Sequence, residues 1–174
     1  MPVNPVARVQ RAMIAYFAGD VRRINHFLKV YGFAKAIGAL EGLEESEQLT
    51  LEIAALTHDI GIRESERKHH SAAGEYQQIE GPPEARKLLT AQGIDPGIVE
   101  RVCWLIAHHH TYAEIRGADY RILVEADFLV NIHEDGLTPA AVAQVERAVF
   151  RTAAGIEFLH RLYPHDALKA IPDA

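Results

Sequence analysis

The chain has 174 residues, 48% of them hydrophobic, and a formal net charge of −6. That length carries one sizeable core, and the acidic balance argues against general binding to nucleic acid or to an anionic membrane surface. The single cysteine, Cys103, excludes an internal disulfide and a cysteine-based zinc cluster; no apolar run approaches the roughly 18 residues of a membrane span and no signal-peptide core opens the chain, so a cytoplasmic protein is expected.

The dominant periodicity is helical. Asn4-Pro5 has the form of an N-cap followed by proline at the first helical position, with Val6, Val9, Met13, Tyr16 and Phe17 on one stripe before Gly19. Asp20 caps a second helix, in which His26, Val30, Phe33 and Ile37 share a face. A third, "LTLEIAALTHDIGI" (49–62), carries Leu49, Ile53, Leu56 and Ile60 and is expected to stop at Gly61. Residues 62–80 are polar and charged and predict a loop with a short helix. "GPPEARKLLTAQG" predicts a helix with prolines in its first turn and Gly93 after its end. Asp95-Pro96 opens the next, with Val99, Val102, Cys103 and Ile106 leading onto His109 and His110. A further helix, about 120–133, carries Leu123, Ala126 and Val130, and Thr138-Pro139 caps a last long helix or pair of helices. No alternating strand pattern, repeat or linker is visible. The expectation is an all-α chain: one compact bundle of about six to eight helices over residues 1–174. The apolar faces of the C-terminal helices allow a homodimer, although core packing explains the same pattern.

Ten histidines are present, and their placement matters more than their number. His26, the adjacent His58 and Asp59, His109, His110 and Asp127 all fall on or beside faces that should be buried. A buried carboxylate is costly unless paired or metal-bound. Two aspartates and four histidines from four helices offset that cost by sharing a divalent cation. Imidazole nitrogen with carboxylate oxygen suits Mn, Fe, Co, Ni or Zn, and suits Mg less where histidines dominate. Each residue also has a plainer reading: His26 as a hydrogen-bonded core histidine, Asp127 paired with Arg121 or Arg101, and the histidines at 108–110 as a solvated helix end.

The ordered set His26, His58-Asp59 and Asp127 resembles the signature of the HD-domain superfamily of metal-dependent phosphohydrolases. "HFLKVYGFAKAI", "AALTHDIG", "VCWLIAHHH" and "VEADFL" resemble its successive motifs, over about residues 20 to 135. The resemblance implies that His26, His58, Asp59 and Asp127 bind a first metal ion. Asp59 would bridge to a second ion in a dinuclear member, with His109 and His110 as further ligands. One departure stands out. Dinuclear members place a histidine four residues before the glycine equivalent to Gly81, and here Gln77 occupies that place. Glu75, Glu80, His69 and His70 are the alternatives nearby.

The implied activity is cleavage of a phosphoester or phosphoanhydride of a small phosphorylated molecule, nucleotides foremost, by water activated on one or two metal ions. Asp59 would orient or deprotonate that water, and His109, where not a ligand, would act on the leaving group. Arg63 and Lys68 are the foremost candidates to hold the rest of the phosphate, with Arg67 and Arg23 also near motif residues. Two alternatives remain: a dinuclear-iron HD-domain oxygenase, and a non-catalytic metal- or ligand-binding regulatory module.

Overall fold

The structure, a computed structural model, describes residues 4–164 and is all-α there. In chain order the helices are α1 (Pro5–Tyr16), α2 (Val21–Leu40), α3 (Glu45–Thr57), α4 (Ile62–His69), α5 (Gly74–Ala91), α6 (Pro96–His108), α7 (Ala118–Glu134), α8 (Pro139–Val149) and α9 (Ala153–Leu162). The starts follow side-chain caps. Asn4, Asp20, Asp95, Thr138 and Thr152 each accept from backbone N–H groups of the first turn. No helix among the described residues is long and apolar enough to cross a membrane. The His165-Asp166 pair and the tail after it lie outside the described residues.

α3 is the central element. Residues 50 to 57 are all buried, with α2, α6, α7 and α1 packed around them. Met13, Phe27, Ile37, Leu51, Ile53, Leu56, Ile106 and Ile122 are wholly or nearly wholly enclosed in one continuous core. α5 lies along α6 and α4, and α7 lies along α2. The terminal stretch is a pair of helices. The buried Glu125 carboxylate accepts from Arg151 N (2.7 Å) and Thr152 N (3.1 Å), and from the Thr152 hydroxyl, pinning the link between α8 and α9. Val142, Val149, Phe150, Ala154 and Leu159 are buried within the chain, which accounts for the apolar faces of these helices.

Two helix boundaries differ from the expected ones. α3 ends at Thr57 rather than running to Gly61. Tight turns follow, with Ile60 N donating to Thr57 O and Ile62 N donating to Asp59 O, each at 3.0 Å. α5 begins at Gly74, so Pro82 and Pro83 lie inside it rather than in its first turn. Its inward residues are Gln77, Glu80 and Gly81 before Ala85 and Leu89, so its first two turns carry no apolar signal. The prolines remove two amide donors from the helix interior. The Pro82 carbonyl accepts from Cys103 Sγ of α6 at 3.4 Å.

The turn after α3 lies directly against α5. A Cβ on Gly61 would meet Gln77 O and Gly81 N at 2.7 Å, both rigid backbone. Gly61→Ala is therefore expected to cost about 1–3 kcal/mol by forcing the two segments apart. A Cβ on Gly32, inside α2, would meet nothing within 4 Å, so Gly32→Ala should be neutral or stabilising by up to ~1 kcal/mol. Urea unfolding of the two variants checks this, and equal midpoints would contradict it.

Candidate metal centre

Four side chains from three segments meet above the core. His26 comes from the second turn of α2, Asp127 from the middle of α7, and His58 and Asp59 from the turn after α3. His26 Nε2 lies 3.3 Å from His58 Nε2, 3.2 Å from Asp127 Oδ1 and 3.3 Å from Asp59 Oδ2. His58 Nε2 lies 3.5 Å from each of the same two carboxylate oxygens. The His58 ring is oriented by Nδ1, which donates to Ala55 O at 2.9 Å. With that proton on Nδ1, Nε2 presents its lone pair to the cluster.

Asp59 divides its two oxygens. Oδ2 faces His26 and His58, while Oδ1 lies 3.5 Å from His109 Nε2. His109 follows the last residue of α6 and donates from Nδ1 to Ile106 O at 2.8 Å, so its Nε2 also points inward as an acceptor. His110 is held by its backbone N–H, which donates to Gln78 Oε1 (3.1 Å), and by its ring against Gly74. The Tyr120 hydroxyl ties this turn down by donating to the carbonyls of His108 (2.6 Å) and Thr111.

The nitrogens His109 Nε2 and His110 Nε2 are buried without a hydrogen-bond partner. Unpartnered acceptors in a closed setting call for a proton or a cation. Two groups answer geometrically: His26, His58 and Asp59, and Asp59, His109 and His110, the ligand atoms of each lying within 4.8 Å of one another. Nitrogen and carboxylate donors sharing Asp59 fit one or two divalent transition-metal ions. Gln77, four residues before Gly81, is buried with its backbone close against Gly61. Its Nε2 donates to Ala72 O (2.7 Å), and its Oε1 is buried without a partner.

The charges agree. Burial works against the cationic form of His26, yet the hydrogen bond to Asp127 and the negative charges of Asp59 and Asp127 lift it to about 9. Burial also opposes ionisation of Asp59 and Asp127, but the surrounding imidazoles hold both below the usual carboxylate range. His110 is pushed down to about 4, by burial and then by the neighbouring His109. At neutral pH the first group therefore holds a proton where a metal ion would sit, while His110 offers a free lone pair.

The cluster floors a cleft of about 550 Å³. His26, Asp59, His110 and Asp127 line it; His109 is only 2% exposed and lies behind Asp59. Arg63 and Lys68, expected to bind substrate, do not line this cleft. The Arg63 guanidinium packs on the Tyr16 ring and donates to Tyr16 O at 3.0 Å. Lys68 pairs with Glu80 and Glu64. Glu80 also accepts from His69 Nε2 at 2.9 Å, so neither replaces the absent histidine. Arg101 is engaged by Asp119 and Arg121 by the carbonyls of Val149 and Ile115, leaving Asp127 without an arginine partner. His108 stacks on Trp104, away from the cluster.

Three residues of the site carry no motif. Glu134 accepts from His26 Nδ1 at 2.8 Å and also pairs with Lys29, the carboxylate–histidine arrangement that orients a ligand ring. Asn131 donates from Nδ2 to Asp127 Oδ1 at 2.9 Å. Both lie on the Asp127 face of α7, at i+4 and i+7, a spacing visible in the sequence once Asp127 is chosen. Arg22, one turn before His26, is the third.

The sequence matches the HD domain family over residues 23–149. The fold is similar to a crystal structure described as a predicted HD superfamily hydrolase from an uncultured Thermotogales bacterium. The TM-score is 0.65 and the identity 23%, with 90% of this chain and 84% of that chain covered. No curated protein matches the sequence.

A proton on His26 must leave before a metal ion can enter. Because that proton is held up to a pKa of about 9, raising the pH favours the metal-bound form. Apparent affinity for cobalt should climb ~10-fold per pH unit from about pH 7 to about pH 9, then level off, with proton release on binding. Calorimetric titration in buffers of different ionisation enthalpy measures both, and a pH-independent affinity would contradict the assignment of His26.

Proposed function

The chain belongs to the HD domain family, and from that membership and the ligand geometry we propose that it is a metal-dependent phosphohydrolase. Its substrate is a phosphoester or phosphoanhydride of a small phosphorylated metabolite, with nucleotides as the leading class. The observation that carries this reading is the division of the Asp59 oxygens between two histidine groups at the floor of an open cleft.

His26, His58, Asp59 and Asp127 would hold one divalent ion, and Asp59, His109 and His110 a second. When bound, such ions supply Lewis acidity: they acidify water and withdraw charge from a phosphoryl oxygen. The protein groups then have distinct tasks. The Asp59 side chain keeps 21% of its surface exposed, against 8% for Asp127. Of the two, Asp59 is thus the carboxylate that can reach and align a water in the cleft. Enclosure behind Asp59 suits His109 to holding a ligand position, not to proton transfer to a leaving group. Glu134 fixes the His26 ring and keeps its Nε2 turned toward the cluster.

Protein reconstituted with manganese, cobalt or iron is expected to release phosphate from p-nitrophenyl phosphate or a nucleoside phosphate, and to stop when chelator is added. Glu134→Gln should lower metal affinity or turnover by about 10–100-fold while leaving the fold intact. Oxygen uptake without phosphate release would move the assignment to an iron oxygenase. Bound metal with neither reaction would leave a binding module.

A further inference from the structure

We propose that Arg22 seats a second anionic group of the substrate, beyond the phosphoryl group that reacts. The chain would then select substrates with two phosphoryl groups, such as nucleoside diphosphates, over simple monoesters. This rests on the phosphohydrolase reading.

Charged side chains at the mouth of the cleft are mostly engaged with one another. Arg23 is held between Asp20 (3.1 Å) and Glu66 (2.5 Å). Glu134 is held by His26 and Lys29. Of the two arginines that line the cleft, Arg22 is exposed and makes no hydrogen bond, ion pair or ring contact among the described residues. It is a guanidinium with all its donors available, the group best suited to a phosphate or carboxylate.

Its position relates it to the reacting centre. Arg22 and His26 are four apart on α2, so they share a face one turn apart, about 5–6 Å between Cβ atoms. Asp127 and Asn131 on α7 and Asp135, the residue that caps its C-terminal end, form a matching row at four-residue spacing, and all three line the same cleft. A substrate reaching outward from the metal centre therefore passes between Arg22 on α2 and Asn131 and Asp135 on and just after α7. The remaining cleft-lining charges are acidic or already paired. Among the described residues, an anionic group leaving the metal centre meets one unengaged cation in the cleft, and that cation is Arg22. Among the described residues no aromatic ring other than histidine lines the cleft, so selection by charge rather than by stacking on a base is expected.

The test uses full-length metal-loaded protein and the non-hydrolysable phosphonate analogues of AMP and ADP, titrated calorimetrically. The wild type should bind the ADP analogue about tenfold more tightly, and in Arg22→Ala that ratio should fall toward one, as expected for loss of one charge-assisted contact. Arg22→Lys should restore part of it. Arg63→Ala, which removes the same charge from outside the cleft, should leave the ratio at its wild-type value. Equal binding of the two analogues by the wild type, or an unchanged ratio in Arg22→Ala, overturns the inference alone. Failure of both analogues to bind the metal-loaded wild type overturns the phosphohydrolase reading with it.

Discussion

Two ionised carboxylates placed at the end of an apolar core must be matched by positive charge, and most of the site follows from that demand. Asp59 and Asp127 face each other across His26 and His58 at 3.2–3.5 Å. An unpaired buried charge of this kind costs several kcal/mol. The imidazoles meet the demand with a proton in the metal-free chain and would meet it with a cation in the metal-bound one. The compensation extends outward. Glu134 accepts from His26, and Lys29 answers Glu134 at the surface. α2 and α7 pack together along this row, so the same contact that closes the bundle also aligns the ligands.

The second half of the site depends on backbone proximity. Gly61 and Gly81 let the turn that carries Asp59 lie on α5, and Gln78 on α5 then holds the backbone of His110. His109 thereby reaches the other oxygen of Asp59, with the His110 ring close beside it. The two halves are unequal. The first has two imidazoles and two carboxylates; the second has two imidazoles and the carboxylate it shares with the first. With fewer donors and less negative charge in the second group, the first would be the tighter seat for a cation, and occupancy of the second would be the more sensitive to metal concentration.

The candidate ligand set was legible because it conflicts with its surroundings. A histidine among Val30, Phe33 and Ile37, or an aspartate inside "LVEADFLV", has no reason to be buried unless something compensates it. Helix starts were legible for the opposite reason, since Asn4, Asp20, Asp95 and Thr138 are local signals that need no tertiary context. The start of α5 was hidden because its inward face is Gln77, Glu80 and Gly81, which carry no apolar period. The roles of Arg63 and Lys68 were not legible either. Closeness to a motif in sequence does not say which way a long side chain turns, and Tyr16 and Glu80 capture these two. Arg22 and Arg23 are adjacent and alike in sequence; only the ion pairs of Arg23 tell them apart.

The central claim is that Asp59 is the shared ligand of a metal centre. Elemental analysis of protein purified without chelator, beside Asp59→Ala with circular dichroism as a check on its fold, tests it most directly. The account predicts about one to two equivalents of a divalent transition metal in the native chain and loss of that metal in a folded variant. A native chain that stays metal-free after loading with manganese, cobalt or iron, or a variant that keeps its full complement, would contradict it.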